Sequence, residues 1–531
     1  MKRKLIILIS LLSIVLTSCA SKAQPSISGA LDDNYRNYYE VFVYSFYDSD
    51  GDGIGDIKGV EQKLDYIAEL GCNGIWLMPI CPSPTYHKYD VTDYKAIDPQ
   101  YGTMEDFESL IESAHSKHIN IIIDMIINHT SSNNPWFVKA TDYLKGLSVG
   151  DEPNPADCPY VNYYHFSKDK INNTWYPIEG TEYYYEGSFW SEMPDLNLAD
   201  EELKAEIKDI MSFWMDKGVD GFRMDAPLHY EETDTRFNAA VLNELYGYCK
   251  DIDPDVYMVS EVWASEQTIE DYYTSLTPSM FDFDFAQGEG DIIMTAWGRE
   301  SASSFVNKMI DNNVARSANN PDCINAPFIT NHDMPRVYNA YNGKQDKMKI
   351  AAMLLLSMPG SPFIYYGEEI GMMSYGPKDE NKRLAMYWSD KAQSGMCMGP
   401  ADADKDINQK CKPVDKQLKD KDSLYYIYKT GLQLRNNNPE IARGNDEILY
   451  ESSSGNTVIT ARTWEDKTVF VIYNTSDETV KVPKSVISEY LSSKGLTKDV
   501  TVTGTMSVSG DGVKIRKEEI IIPADSVAYL K

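Results

Sequence analysis

Val219-Asp-Gly-Phe-Arg-Met-Asp225 is a short apolar run that ends abruptly in charge, with a proline two residues on at Pro227. β-Branched and aromatic residues bounded by such a break describe a buried strand. Side chains two apart on a strand share a face, so Arg223 and Asp225 point the same way. A guanidinium held that close favours the ionised carboxylate. An ionised, positioned Asp at the exit of an apolar strand suits a nucleophile. A purely structural Arg–Asp pair closing a strand would read the same from this heptapeptide alone.

The pattern recurs. Further strands are expected at 39–44, 74–78, 119–127, 256–261, 280–285, 326–330 and 362–366, with helical periodicity at 59–70, 104–118, 203–217 and 347–357 between them. Strand–helix alternation eight times over predicts an α/β chain folded as a (β/α)8 barrel. The steps from Asp225 to Glu261 and from Thr330 to Tyr366 each match one unit of roughly 30 residues, whereas Asp124 to Asp225 spans about three. An insertion therefore follows the third strand. It is rich in Tyr, Asn, Pro and Trp and shows no clear helical period. After residue 435, short β-branched runs between Gly, Asn and Asp turns predict a C-terminal antiparallel β-sandwich. The expected domains are 35–128 and 200–435 for the barrel, 129–199 for the insert and 436–531 for the sandwich.

The working face of such a barrel is the C-terminal end of its strands. There the third strand ends Asp124-Met-Ile-Ile-Asn-His129, the fourth gives Arg223 and Asp225, the fifth Glu261 in Val259-Ser-Glu-Val-Trp263, and the seventh Asn331-His-Asp333. Carboxylates, histidines and an arginine converge on one mouth from distant parts of the chain, which packing alone does not require.

These motifs resemble the signatures of the α-amylase family (glycoside hydrolase family 13) from about Asp33 to the C-terminus. Met193-Pro-Asp-Leu-Asn197 is similar to the group intermediate between oligo-1,6-glucosidases and neopullulanases. The resemblance implies Asp225 as nucleophile, Glu261 as general acid and then base, and Asp333 as the third acid that stabilises the transition state. A retaining glycosidase needs one carboxyl ionised and one protonated. Apolar company around Glu261 and the cation beside Asp225 would push the two apart. The resemblance further implies sugar contacts from His129 and His332, and from His87, Tyr89 and Asp90 in Tyr86-His-Lys-Tyr-Asp90. Arg223 joins that set, with Arg383 pairing with Asp90. Ala226 after the nucleophile favours α-1,4 cleavage, and Leu228 stands where typical members carry Lys. The expected function is a retaining hydrolase of α-1,4-glucosidic bonds in starch and maltodextrins. The alternatives are a neopullulanase or α-glucosidase acting on short maltooligosaccharides and, from another class, a non-catalytic glucan-binding surface lipoprotein.

Asp48-Ser-Asp-Gly-Asp-Gly-Ile-Gly-Asp56 places oxygens at alternate positions with Gly where the chain turns, as a Ca2+ loop does. Gly59 at the twelfth position excludes an EF-hand. A matching family loop implies Asp48, Asp50, Asp52, Asp56 and the Ile54 carbonyl as Ca2+ ligands.

The chain has 531 residues with 42% hydrophobic content, 37 Tyr and 9 Trp, and a formal charge of −31. That length divides into two or three domains, and that charge argues against nucleic acid or an anionic membrane surface as partner. Met1-Lys-Arg-Lys4, the apolar run to Leu16 and Leu16-Thr-Ser-Cys19 read as a lipoprotein signal over 1–18, with Cys19 lipidated and 19–34 a tether. The expected enzyme is a monomer, lipid-anchored in the membrane at the bacterial cell envelope. Leaving Cys19 aside, an odd number of cysteines argues against a full disulfide framework. Cys397 and Cys411 are a candidate pair.

Overall fold

The computed structural model describes residues 29–404 and 407–531. The signal segment, Cys19 and most of the tether lie outside the described residues. Among those described, no helix is long and apolar enough to cross a membrane.

The barrel begins with three parallel strands: β1 (Tyr38–Val41), β2 (Gly74–Leu77) and β3 (Asn120–Met125). All three are buried on both faces, apart from half-buried Asn120 at the start of β3. That explains why they read as continuous apolar runs rather than alternating ones. The insert then contributes β4 (Phe166–Ser167), β5 (Trp175–Pro177) and β6 (Tyr184–Glu186), a small antiparallel sheet in the order β4-β6-β5. The barrel resumes with β7 (Gly221–Met224), β8 (Tyr257–Ser260), β9 (Ser279–Met280) and β10 (Phe363–Tyr365), and the curled sheet has the order β10-β1-β2-β3-β7-β8-β9. At Gly221 a Cβ would meet the Tyr257 carbonyl oxygen at 2.0 Å. β7 and β8 approach this closely only because position 221 has no side chain.

The expected strand at 326–330 is reduced to a parallel bridge between Phe281 and Ala326. Pro327 lacks the N–H that a ladder needs, yet its carbonyl accepts from Phe363 N at 2.9 Å and so closes the barrel. The intervening helices show the expected pattern. In Met104–His115, Phe107, Leu110, Ile111 and Ala114 form the buried stripe, and Thr103 and Asp106 complete a capping box.

The insert is more ordered than its composition suggests. Pro135–Gly146 is a helix, started by Pro135 and by Asn134, which accepts the Trp136 N–H, and it buries Phe137, Ala140, Thr141 and Leu144. The antiparallel bridge His129–Asp195 closes the insert's two ends on each other, Tyr164–Leu196 ties it internally, and the Leu196 N–H donates to the Asn128 carbonyl at 2.8 Å.

The C-terminal domain comprises β11 (Asn445–Glu451), β12 (Thr457–Trp464), β13 (Lys467–Asn474), β14 (Val480–Pro483), β15 (Val502–Ser507), β16 (Lys514–Ile515), β17 (Glu519–Ile522) and β18 (Ser526–Leu530). They form sheets of order β11-β12-β13-β18-β15 and β14-β17-β16. Along β13, Phe470 and Ile472 enter the domain's own core while Val469, Val471 and Tyr473 pack on the barrel. Both faces of the strand are thus buried.

Cys397 and Cys411 do not pair: both are buried free thiols. Cys397 faces the Asp48–Asp56 loop, whereas Cys411 lies near Arg336 and Glu369.

Candidate active site

A cavity of about 450 Å3 opens at the C-terminal ends of the barrel strands, and Asp225, Glu261 and Asp333 all line it. Arg223 on β7 is fully buried beneath it. Its Nη1 donates to Asp225 Oδ1 at 2.6 Å and to Asp124 Oδ1. Its Nη2 lies 2.8 Å from Glu261 Oε2 but misses hydrogen-bond geometry. Neighbouring nitrogens of one guanidinium thus hold the two acids side by side, as a retaining pair about 5–5.5 Å apart requires.

One cation serves three carboxylates, so full ionisation of all three is costly. Burial raises Glu261 to about 7, with Arg223 opposing and Asp225 and Asp333 adding to the rise. Burial likewise raises Asp124, against the pull of Arg223. Glu261 therefore carries a proton at mildly acid pH while remaining 8% exposed to the cavity. Ala226, next in chain after Asp225, sits in the left-handed region at φ 47°. A non-glycine residue there is strained, and the turn brings its N–H to 3.4 Å from Glu261 Oε2.

Asp333 is set differently. Burial raises its pKa, but the His332, Arg383 and Arg223 cations outweigh that and hold its carboxyl well below the usual range. Arg383 Nη2 donates to Asp333 Oδ1 at 2.8 Å, Nη1 to Tyr86 Oη at 3.1 Å and Nε to the His332 carbonyl at 3.2 Å. The pairing of Arg383 with Asp90 expected from sequence is corrected here. Asp90 is fully buried below the cavity and accepts from Ser83 Oγ at 2.6 Å and from Thr85. It shapes the loop that presents His87 and Tyr89.

Burial, with Arg383 and His129 nearby, lowers His87 to about 3. Its Nδ1 accepts the Tyr89 N–H at 3.2 Å, which leaves the proton on Nε2. His129 also lines the cavity; burial lowers its pKa, and its Nε2 has no hydrogen-bond partner in the protein. Tyr89 stacks on His332 with ring centroids 5.5 Å apart and 11° between planes. Sequence reasoning missed Phe189, which the insert brings against His129 and His229, and Asp379, which also lines the cavity. No local pattern marks either one.

The family model for the alpha amylase catalytic domain matches residues 40–444. The chain belongs to the alpha-amylase family. Among curated relatives, Alpha-amylase 3 of Dictyoglomus thermophilum is 40% identical over 453 residues, 84% of this chain and 86% of that protein. An oligo-1,6-glucosidase of Parageobacillus thermoglucosidasius is 27% identical over 550 residues, 85% and 92%. The solved structure of Eubacterium rectale Amy13B superposes with a TM-score of 0.89 at 42% identity, covering 96% of each chain. This alpha-amylase family member is a glycoside hydrolase.

Outside the cavity lining, the Asp48–Asp56 loop gathers Asp48, Asp50 and Asp56 with carboxylate oxygens within 4.8 Å of one another. Asp48 accepts the Gly51 N–H at 2.6 Å and the Gly53 N–H at 2.8 Å, and Asp56 caps the helix Ile57–Gln62. Asp52 stands outside this trio, with Oδ1 accepting the Ile54 N–H at 2.7 Å. Hard carboxylate oxygens in a pre-shaped loop fit Ca2+.

Proposed function

We propose that this family member hydrolyses α-1,4-glucosidic bonds of starch and maltodextrins by double displacement. The observation that carries the reading is the shared Arg223 guanidinium, which sets Asp225 beside a Glu261 made protonatable by burial. Asp225 Oδ attacks the anomeric carbon while Glu261 gives its proton to the departing glycosidic oxygen. Glu261, now ionised, takes a proton from the water that breaks the glycosyl ester. Asp333, ionised between His332 and Arg383, supports the positive charge that develops on the sugar. His87 and His129 offer ring nitrogens, and Tyr89 a ring face, to the same sugar.

Ala226 favours the α-1,4 linkage. Leu228 in the cavity wall and the 27%-identical oligo-1,6-glucosidase support a second reading, a neopullulanase or α-glucosidase working on short maltooligosaccharides. Release of reducing ends from soluble starch by wild type and not by Asp225→Asn tests the hydrolase. Starch binding without release would favour a glucan-binding module. Product sizes on amylose, pullulan and panose separate the linkages.

Ca2+ would be held by Asp48, Asp50, Asp56 and the Ile54 carbonyl, with Asp52 at the rim, and would supply charge that ties the loop to the barrel. Lipidation at Cys19 would anchor a monomeric enzyme to the membrane of the bacterial envelope. Fractionation of wild type against Cys19→Ala tests that, with a soluble variant expected.

A further inference from the structure

Glu40 lies in the middle of β1, in the apolar run Tyr38-Tyr-Glu-Val41, and is 1% exposed. Charged residues are almost never found there unless paired. Its side-chain partner is His332, whose Nδ1 lies 2.7 Å from Glu40 Oε1. The other ring nitrogen, Nε2, lies 3.1 Å from Asp333 Oδ2 and 2.7 Å from Tyr89 Oη. The imidazole is thus strung between two carboxylates, one beneath the barrel mouth and one lining the cavity.

A neutral ring with its proton on Nδ1 could take the Tyr89 O–H on Nε2 at 2.7 Å, but would still set that lone pair 3.1 Å from the Asp333 carboxylate. A doubly protonated ring satisfies both acids. A glutamine at position 40 would serve a neutral histidine equally well and would avoid burying a charge. A carboxylate at this position gains most from the ring it faces when that ring is a cation.

We propose that Glu40 is a positioning residue: it holds His332 as an imidazolium, whose Nε2–H fixes the Asp333 carboxylate toward the sugar. This rests on the hydrolase reading and adds a member to its machinery that touches no substrate. The charged and titratable groups around His332 are Glu40 from β1, Asp124 from β3, Arg223 from β7, Glu261 after β8, Tyr89, Arg383 and its neighbour Asp333. Burial works against the cation, but Asp333 and Glu40 together raise His332 to about 9.

Glu40→Gln keeps an oxygen for Nδ1–H and removes the charge. Below its pKa, His332 is protonated in both enzymes; above the variant's lowered pKa, only wild type keeps the imidazolium. In the full-length enzyme, the kcat ratio of wild type to variant should therefore grow from about twofold near pH 5 to about twentyfold near pH 8, with KM within about threefold. Loss of the His332 cation also lets Glu261 rise in the variant, which favours the variant's general acid at alkaline pH and so works against the growing ratio. A ratio constant across pH would mean a merely structural role and overturn the proposal. Imidazole 15N shifts of His332 in wild type near neutral pH decide the matter independently of whether the variant folds. Two protonated nitrogens support it, and a neutral tautomer sinks it. If wild type releases no reducing ends, the hydrolase reading fails, while the 15N shifts still report Glu40's hold on His332.

Discussion

Two fully buried arginines, Arg223 at the barrel mouth and Arg462 in the C-terminal domain, are built in opposite ways. Arg462 meets one carboxylate, Asp446 at 2.8 Å, and its remaining bonds include the carbonyls of Ser357 at 2.6 Å and Ile441 at 2.8 Å. Charge is balanced, and the guanidinium ties β12 to the end of the barrel helix Gln345–Ser357 and to the short helix Glu440–Arg443. Arg223 faces Asp124, Asp225 and Glu261 at once, and its Nε and Nη2 lack hydrogen-bond partners. A surplus of negative charge and idle donors is poor structural design. It leaves one carboxyl ready to attack and one ready to give up a proton. Balanced burial joins domains; unbalanced burial does chemistry.

The sharpest way to break that contrast is Asp225→Asn. It should lower kcat by about 10^4 or more without lowering the thermal midpoint, because it relieves a crowded set of acids. Glu261→Gln should cost about 10²–10⁴ in kcat and change the shape of the pH profile. Glu261 must be protonated to donate, and its pKa is raised to about 7, so wild-type kcat/KM should fall as pH rises through that value. With Gln the limb near 7 should vanish.

Arg462→Met is the mirror experiment. Asp446 loses its guanidinium and keeps the Thr460 hydroxyl at 2.6 Å, and urea unfolding should report a loss of about 3–5 kcal/mol, with kcat per folded molecule unchanged. A stability loss of that size from the Arg223 cluster acids instead would erase the distinction. Next in size, a chelator should lower stability by about 2–3 kcal/mol if Ca2+ is near a hundred times its dissociation constant; Asp50→Ala should abolish that response in a melting assay. The smallest change is expected from Arg383→Lys. It removes the planar fork that spans Asp333, Tyr86 and the His332 carbonyl, and kcat should fall about tenfold.

Much of this was legible early because the informative residues sit in local patterns. Arg223 and Asp225 share a strand face, Asn331-His-Asp333 closes a short motif, and the Asp48–Asp56 loop alternates in register with its turns. The helix at Pro135–Gly146 was missed because its buried stripe is interleaved with Tyr, Trp and Lys. The strand at 326–330 was overstated because Pro327 allows only a bridge. β11 and β18 carry no plain alternation, because their polar and apolar residues are sorted by domain packing. The Cys397–Cys411 pairing and the Arg383–Asp90 pairing failed for one reason: proximity across loops is not written in spacing. Glu40 stands in the sequence as a charge in an apolar run with nothing local to mark its use, because its partner His332 lies far away in the chain.

Residue order alone predicted the barrel and an insertion after its third strand, since strand and helix periods are local properties of the chain, and its motifs carried the resemblance that names the acids. Protonation was decided only by folding. Burial with the neighbouring carboxylates holds a proton on Glu261 against the pull of Arg223, and the His332 and Arg383 cations beside Asp333 strip it of one, because the free energy of a charge depends on what the fold gathers around it.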